Sequence, residues 1–322
     1  MGDGAVLVTG GTGFVGRRVV EDLLARGRQV TVAVRGTSLP PEPRPGLRHV
    51  VVGEIGRETV WDEALAGISA VVHLAAHVHV APERAGAEVE IFDEVNRRGS
   101  LRLFEAATAR GVGSFIQMSS ITVLGGESPP DASFDDRTPP RPETPYGRSK
   151  LAAEQDLRNA AEDDRCPTLL TILRPPLIAG PGVGGNLGRL ARLAALPLPL
   201  PLGGIRNQRT LLSLDNLVAA IALVLDRPAS GTFVLGDAEP LSTSAILRRL
   251  REGAGQRAPL LPLPVGLVRN IAVRLGREGM ARRLFDDLAV DSRGFRERFG
   301  FRDVVDTATS LRAVGAAVRA RR

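Results

Sequence analysis

Short aliphatic runs alternate with helix-length amphipathic segments along the first half of the chain. The runs that predict β-strands are residues 5–9, 29–34, 48–52, 70–74, 114–119 and 168–173. The segments that predict helices lie near residues 14–26, 58–66, 86–110 and 146–162. Apolar strands separated by helices are typical of a parallel sheet that is covered on both faces. The pattern therefore predicts a doubly wound α/β fold, in which ligands bind beyond the carboxyl ends of the strands.

The composition of the sequence changes after Arg174, because proline and glycine cluster at residues 175–185 and 196–204. A predicted helix at 211–226 and a predicted strand at 232–235 indicate that the chain then returns to the sheet. From residue 242 onward the pattern is mostly helical. We predict a Rossmann domain at residues 1–178 plus about 211–238, and a smaller C-terminal substrate-binding region at residues 179–210 and 239–322.

Composition excludes several classes of protein. The net charge is +6, but the basic residues are scattered and aromatic residues make up only 4%, so nucleic-acid binding is disfavoured. The single cysteine, Cys166, allows no disulfide within the chain and suits a reducing compartment. The sequence shows no signal peptide and no segment apolar enough to cross a bilayer comfortably, since its most apolar late stretches carry arginines and prolines. We expect a cytoplasmic protein without an integral membrane segment.

The chain contains one tyrosine and one lysine, and they stand four residues apart as Tyr146 and Lys150. All the other 41 of the 42 Lys and Arg residues are arginine, which suggests that drift toward GC-rich codons has removed lysine elsewhere. Residues four apart share one face of a helix. A nearby ammonium lowers the pKa of a phenol, which is ordinarily about 10. The pair is thus a candidate acid–base site, and we expect Lys150 to lower the pKa of Tyr146.

A glycine-rich turn follows the first predicted strand and opens the first predicted helix. Glycines in this context let the backbone approach a pyrophosphate, whose charge then lies at the helix N-terminus. The residues that we predict to bind a dinucleotide here are Gly10, Thr12, Gly13, Phe14, Val15 and Gly16. The residue that follows the second predicted strand is Arg35 rather than an acidic residue. An acidic residue at this point favours NAD and an arginine favours NADP, so we predict NADP(H), with NAD(H) as the alternative.

These motifs, and others that follow in order, resemble those of the extended short-chain dehydrogenase/reductases, and most of all the nucleotide-sugar epimerase/dehydratase group. The resemblance covers nearly the whole chain. It implies that Tyr146, Lys150 and Ser120 are the catalytic residues, with Ser120 also contacting the substrate. Further cofactor contacts implied by the resemblance are Glu54, Ile55, Leu74, Ala75, Ala76, Asn96, Tyr146, Lys150 and Pro175. The implied substrate contacts are Ser120, Asn186 and Arg209, the last two on the diphosphate.

The resemblance implies a hydride transfer at a sugar carbon, and the sequence narrows the choice of reaction. Dehydratases of this group carry an Asp-Glu pair after the catalytic Ser or Thr, whereas Ser120 is followed by Ile121 and Thr122. Two reactions remain, which are reduction of a 4-keto sugar and 4-epimerisation, and Arg35 favours the NADPH-dependent reductase. A dehydrogenase of a hydrophobic alcohol, of sterol or flavonoid type, and a non-catalytic NADP-binding protein are the further alternatives.

The resemblance also implies a homodimer and a place in polysaccharide biosynthesis. His77 and His79 form a His-x-His pair without further ligands at close spacing, so we predict no metal site. We expect His79 to line a loop near the substrate instead.

Overall fold

The computed structural model describes residues 4–36, 44–78, 88–129, 131–274 and 276–320, without the side chains of residues 271 and 272. The chain divides into two compact units. The first unit comprises Met1–Gly125, Pro139–Arg174 and Val218–Phe233, and the second comprises Gly126–Thr138, Pro175–Leu217 and Val234–Arg322.

The described strands and helices alternate along the first half of the chain. The strands are β1 (Ala5–Thr9), β2 (Val30–Val34), β3 (Leu47–Val51), β4 (Ile68–His73), β5 (Ser114–Met118), β6 (Leu169–Arg174), β7 (Leu177–Ala179), β8 (Leu211–Ser213) and β9 (Gly231–Val234). The α-helices are α1 (Phe14–Ala25), α2 (Glu88–Phe92), α3 (Gly99–Ala109), α4 (Pro145–Ala161), α5 (Gly185–Ala194), α6 (Leu214–Asp226), α7 (Thr243–Ala254), α8 (Val265–Arg274), α9 (Glu278–Phe285), α10 (Arg293–Phe299) and α11 (Thr307–Ala320). No helix of the described part of the chain has the length and apolarity needed to cross a membrane.

Seven of the described strands form one sheet in the order β3-β2-β1-β4-β5-β6-β9. The pairs from β3 to β6 are all parallel, with Val8 of β1 beside Val32 of β2 and Val72 of β4. This sheet confirms the predicted doubly wound α/β fold. The strand order reverses direction between β1 and β4, and a doubly wound sheet binds its ligands at such a switch point.

The core of the first unit lies against this sheet. Leu7, Val71, Phe115 and Ile172 are each at most 1% exposed, which explains why the strands read as unbroken apolar runs. Phe104 of α3 packs edge-to-face on Phe115, with ring centroids 5.2 Å apart. Burial of such side chains, worth about 1.5–3 kcal/mol each, fixes the strand ends on which the functional residues lie.

One sequence prediction is wrong in the structure, and one predicted helix begins later than expected. Residues 58–66 form turns rather than a helix, although Trp61 and Leu65 are buried at helical spacing. Their backbone makes one helical hydrogen bond, from the Leu65 nitrogen to the Trp61 oxygen at 2.9 Å, and β4 begins at Ile68 directly afterwards. The predicted helix at 211–226 starts later, because its first three residues pair with β7 as strand β8.

The second unit has its own core, in which α7 and α11 bury Leu247, Leu250, Leu311 and Val314. Its polar interior is centred on Asp237, which is 3% exposed and lies three residues beyond the end of β9. The carboxylate of Asp237 accepts hydrogen bonds from the Ser213 and Asn216 side chains and from Thr307, at 2.6–2.7 Å. It also accepts from the Ser213 backbone nitrogen at 3.0 Å. One carboxylate thereby joins β8, α6 and α11.

Candidate active site

A tight turn joins β1 to α1 at the carboxyl edge of the sheet. Gly10 has a φ of +67°, and a Cβ at this residue would lie 2.8 Å from the backbone nitrogen of Ala75. Only glycine accommodates this combination without strain. The turn and the first turn of α1 carry all the residues predicted to bind the dinucleotide phosphates, namely Gly10, Thr12, Gly13, Phe14, Val15 and Gly16.

The N-terminus of α1 suits a pyrophosphate. Among the described residues no side chain caps this end, and the first turn carries no acidic residue. Thr12 and Gly13 beside it are exposed. The partial positive charge of a helix N-terminus attracts an anion, so the turn fits the phosphates of the predicted cofactor.

The end of β2 places Arg35 on the surface of the first unit. Its guanidinium lies 3.6 Å from the carboxylate of Glu54, and both side chains are mostly exposed. An exposed pair at this distance is worth about 0–1 kcal/mol, so it leaves the arginine available to another anion. Ile55 is only 9% exposed and packs in the core, so of the predicted pair Glu54-Ile55 only Glu54 presents its side chain to solvent.

The segment after β4 runs beside the glycine turn. Leu74, Ala75 and Ala76 are half-buried, and the Ala75 nitrogen donates to the Thr9 hydroxyl at 3.2 Å. His73, the last residue of β4, is fully buried with its ring nitrogens 2.6 Å from the Thr9 hydroxyl and 3.0 Å from the Ser100 hydroxyl. Burial lowers the pKa of His73 to about 3, so its ring is neutral and serves as a brace.

Asn96 lies in the π-helical turn Asp93–Arg98 and is fully buried. Its side chain accepts from the His77 nitrogen at 2.7 Å and donates to the His77 oxygen at 2.9 Å. It also donates to Ser149 on α4 at 3.0 Å. Short π-helical turns are often found at functional sites. Here the turn directs one side chain to both the loop after β4 and helix α4.

Helix α4 begins immediately before the tyrosine. The Thr144 side chain caps it by accepting from the Gly147 nitrogen at 3.0 Å, and Pro145 occupies its first position. A Cβ on Gly147 would lie 2.7 Å from the Thr122 oxygen, so this glycine allows α4 to approach the segment that follows Ser120. Tyr146 and Lys150 lie on this helix, as predicted for an i, i+4 pair.

Ser120 and Tyr146 come into direct contact. The Ser120 oxygen accepts from the Thr122 nitrogen at 3.2 Å and from the Thr122 hydroxyl at 3.0 Å. Since a hydroxyl has one proton and two lone pairs, these bonds leave the Ser120 proton to be donated. Ser120 is hydrogen-bonded to the Tyr146 hydroxyl, and this bond opposes the rise of the Tyr146 pKa.

We expected Lys150 to lower the pKa of Tyr146, and this expectation is wrong: the protein's own groups give Tyr146 a raised pKa. Burial raises the pKa of Tyr146 to about 12, and the hydrogen bond from Ser120 opposes this only in part. Tyr146 is therefore protonated at neutral pH and ready to act as an acid. The Lys150 Nζ instead donates a hydrogen bond to the backbone oxygen of Met118 at 2.8 Å.

Lys150 is 2% exposed, and its surroundings decide its charge. Burial lowers the pKa of Lys150 to about 8, while the carboxylate of Glu154 acts in the opposite direction. At neutral pH the side chain is an ammonium. It has three N–H donors, and the bond to Met118 uses one of them.

The sequence reasoning did not single out two residues that contact this site. Thr122 fixes Ser120, and Glu154 lies one turn beyond Lys150 in the core. The signal for Thr122 was its hydroxyl two residues after Ser120. The signal for Glu154 was the same four-residue spacing that links Tyr146 to Lys150.

The second unit holds the other predicted residues. Pro175 is buried at the start of the unit. Asn186 is exposed in the first turn of α5, and its side-chain oxygen accepts from Arg283 at 3.5 Å. Arg209 is mostly buried and donates to the Asp286 oxygen at 2.9 Å. Burial lowers the pKa of Arg209, although Asp286 and Asp287 oppose this effect.

One predicted substrate contact, His79, lies outside the described residues. His77 is half-buried, and its ring packs edge-to-face on Phe92 with centroids 5.9 Å apart. Across the described part of the chain, no three or more His, Cys, Asp or Glu side chains are grouped so that they could hold a metal ion.

Comparisons with known proteins agree over most of the chain. The model of the NAD dependent epimerase/dehydratase family matches residues 6–236. A UDP-glucose 4-epimerase of Vibrio cholerae is 31% identical over 310 residues, which cover 92% of this chain and 90% of that protein.

Solved structures are similar over the full length. UDP-glucose 4-epimerase of Thermus thermophilus, in complex with NAD, has a TM-score of 0.74 and 26% identity, and covers 98% of this chain and 99% of its own. MoeE5 in complex with UDP-glucose and NAD has a TM-score of 0.75 and 25% identity, with 99% of each chain covered.

Proposed function

The chain belongs to the NAD dependent epimerase/dehydratase family, and from this premise we propose that it reduces the 4-keto group of a nucleotide-activated sugar with NADPH. The observation that carries the proposal is Arg35 at the end of β2, where an acidic residue would accept the ribose hydroxyl of NAD. The exposed guanidinium pairs only weakly with Glu54 and can take the extra phosphate of NADP. The family is described by its NAD dependence, so the preference for NADP is specific to this proposal.

Tyr146 supports the reductive direction. A tyrosine with a pKa of about 12 carries its proton at neutral pH, as an acid that protonates a developing alkoxide must. An epimerase begins with oxidation of a hydroxyl and needs the tyrosine as a base. Tyr146 is thus in the protonation state that reduction requires.

The proposed mechanism assigns a role to each residue of the site. When bound, the dinucleotide supplies the hydride. Ser120 donates a hydrogen bond to the carbonyl oxygen and holds it in place, while Thr122 donates to the Ser120 oxygen. Tyr146 gives its proton to the same oxygen as negative charge develops there. Lys150 stays protonated beside them, with two N–H donors that have no partner among the described residues and can bind the ribose hydroxyls of the cofactor.

We assign the substrate diphosphate to the second unit, through Arg209 and Asn186. An arginine and an amide are common partners of phosphate oxygens. A hydrophobic alcohol has no phosphate that they could bind. The family membership and the UDP-glucose in the MoeE5 complex support a UDP-linked sugar. We further propose a cytoplasmic homodimer that serves polysaccharide biosynthesis.

A second candidate is a UDP-sugar 4-epimerase that retains NAD. The observation in its favour is the 31% identity to the Vibrio cholerae UDP-glucose 4-epimerase. The residues Ser120, Tyr146 and Lys150 serve both reactions, because both transfer a hydride at the same carbon. The two candidates differ in whether the cofactor exchanges with solution.

Substitution of Arg35 by Asp tests the cofactor assignment. We expect the wild-type protein to bind NADPH more tightly than NADH, and Arg35→Asp to weaken NADPH by about tenfold or more, since a charge-assisted bond to a phosphate is worth about 1.5–3 kcal/mol. Fluorescence titration of each dinucleotide measures both affinities. Arg18→Asp, the same charge change on the exposed face of α1, is the control and should leave the ratio unchanged.

A wild-type preference for NADH would contradict this assignment, as would NAD that stays bound through purification. Either result would move the function to the epimerase.

A further inference from the structure

Glu154 has no exposed surface, yet it is a carboxylate in the core of the first unit. One of its oxygens accepts from the Ser119 hydroxyl at 2.5 Å and from the Arg174 Nε at 2.9 Å. The other accepts from Arg174 at 2.5 Å and from Arg158 at 2.7 Å. Four charged or hydroxyl donors therefore converge on one side chain.

These bonds connect the segments that carry the candidate catalytic residues. Ser119 directly precedes Ser120 after β5, and Arg174 is the last residue of β6. Glu154 itself lies on α4, one turn beyond Lys150 and on the same face of the helix. Lys150 in turn donates to Met118, the last residue of β5. Two successive residues just before the catalytic serine are thus both held to α4.

Burial of a carboxylate is costly, and an apolar side chain would pack in its place without that cost. Arg174 and Arg158 offset the charge of Glu154, but among the described residues Glu154 is the acidic group that raises the pKa of the buried Lys150. His73, which faces Lys150 from β4, is neutral. The charge of Glu154 therefore acts on the lysine as well as on the arginines.

We propose that Glu154 is a positioning residue for the hydride-transfer site, which holds the end of β5 against α4 and supplies the negative charge that keeps Lys150 an ammonium. The proposal rests on the catalytic roles assigned above to Ser120 and Lys150. It does not depend on which sugar or dinucleotide the protein uses.

The composition of the chain offers a direct test, because Lys150 is the only lysine. Protein labelled with ¹³C at the lysine Cε, and carrying no tag that contains lysine, gives one lysine side-chain NMR signal. The pH titration of this signal reports the pKa of Lys150 without substrate or cofactor. The wild-type midpoint is expected near 8. In Glu154→Gln the midpoint should fall by at least about one pH unit, since the loss of a nearby opposite charge typically has this effect.

Arg158→Gln is the matched control. It removes a hydrogen bond to Glu154 but keeps the carboxylate, and the arginine is 35% exposed, so the fold should tolerate the change. We expect its Lys150 midpoint to stay at the wild-type value or to rise. A merely structural role for Glu154 would instead lower stability in both variants without a fall of the Lys150 midpoint that is confined to Glu154→Gln.

A second pair of variants covers the case in which Glu154→Gln does not fold because Arg174 is left buried and unpaired. Arg174→Gln combined with Glu154→Gln removes both charges, and its Lys150 midpoint should lie below that of Arg174→Gln alone. An unchanged midpoint in the folded Glu154 variant, or an equal fall in Arg158→Gln, would overturn the proposal.

Kinetics separate this proposal from the assigned reaction. If the protein reduces a 4-keto sugar, kcat/KM should fall as pH rises through about 8, because the Lys150 ammonium loses its proton, and this fall should move to lower pH in Glu154→Gln. If no 4-keto sugar is reduced but the NMR midpoints behave as expected, the function fails and the role of Glu154 stands.

Discussion

Replacement of Tyr146 by Phe should lower kcat for sugar reduction by about 10²–10⁴-fold, because general acid catalysis by a positioned side chain contributes this much. The phenylalanine keeps the ring that packs on Phe92, with centroids 6.0 Å apart, so the change removes only the hydroxyl. No other tyrosine in the chain can take its place. Steady-state rates with saturating NADPH and a 4-keto nucleotide sugar measure the effect.

Cofactor affinity serves as the internal control for Tyr146→Phe. The dissociation constant of NADPH should stay close to the wild-type value, since the turn at Gly10 and the side chain of Arg35 are untouched. Ser120→Ala, which removes the other hydroxyl of the site, should retain more activity than Tyr146→Phe, because Ser120 positions the oxygen but does not protonate it. Activity of Tyr146→Phe within a few-fold of the wild type would exclude the tyrosine as the acid.

Replacement of Asp237 by Asn should destabilise the second unit by at least about 3 kcal/mol. The amide NH₂ cannot accept hydrogen bonds, so buried donors that the carboxylate satisfied would be left without an acceptor. Ser213, Asn216 and Thr307 all donate to Asp237 at 2.6–2.7 Å, and none of these donors is exposed. The amide has one acceptor where the carboxylate has two. Urea unfolding followed by circular dichroism measures the loss.

Asp306→Asn is the matched control for this experiment. Asp306 is exposed and accepts from the Thr309 nitrogen and hydroxyl at the start of α11, a role that asparagine fulfils almost as well. The control should lose less than about 1 kcal/mol. Equal stability losses in the two variants would show that Asp237 does not organise the unit.

The hydrophobic pattern was sufficient to predict the strands of the large sheet, but it was insufficient to predict the short elements. The six apolar runs correspond to β1–β6 within two residues at each end, because strands buried on both faces leave little choice of residue. Strands β7 and β8 have three residues each; β7 lies among prolines and glycines and β8 runs directly into α6, so no periodicity reveals them. Residues 58–66 bury Trp61 and Leu65 at helical spacing, which a single turn produces as well as a helix does.

The family resemblance drawn from the motifs is confirmed by the family match. The motifs located the glycine turn and the Tyr146–Lys150 pair because few residues satisfy such backbone and acid–base requirements. They did not reveal Glu154, since a glutamate on an amphipathic helix ordinarily faces solvent. The pKa of Tyr146 was misjudged because the sequence reveals the neighbouring charge of Lys150 but not the depth of burial.

Hydride tracing tests the assigned reaction most directly. The purified protein is incubated with a UDP-linked 4-keto sugar and NADPH that carries deuterium at both positions of the nicotinamide C4. A reductase that exchanges its cofactor predicts one deuterium at C4 of the product sugar and one NADP formed for each sugar reduced. An unlabelled product sugar, or conversion of a UDP-sugar to its C4 epimer without added cofactor, would contradict the account.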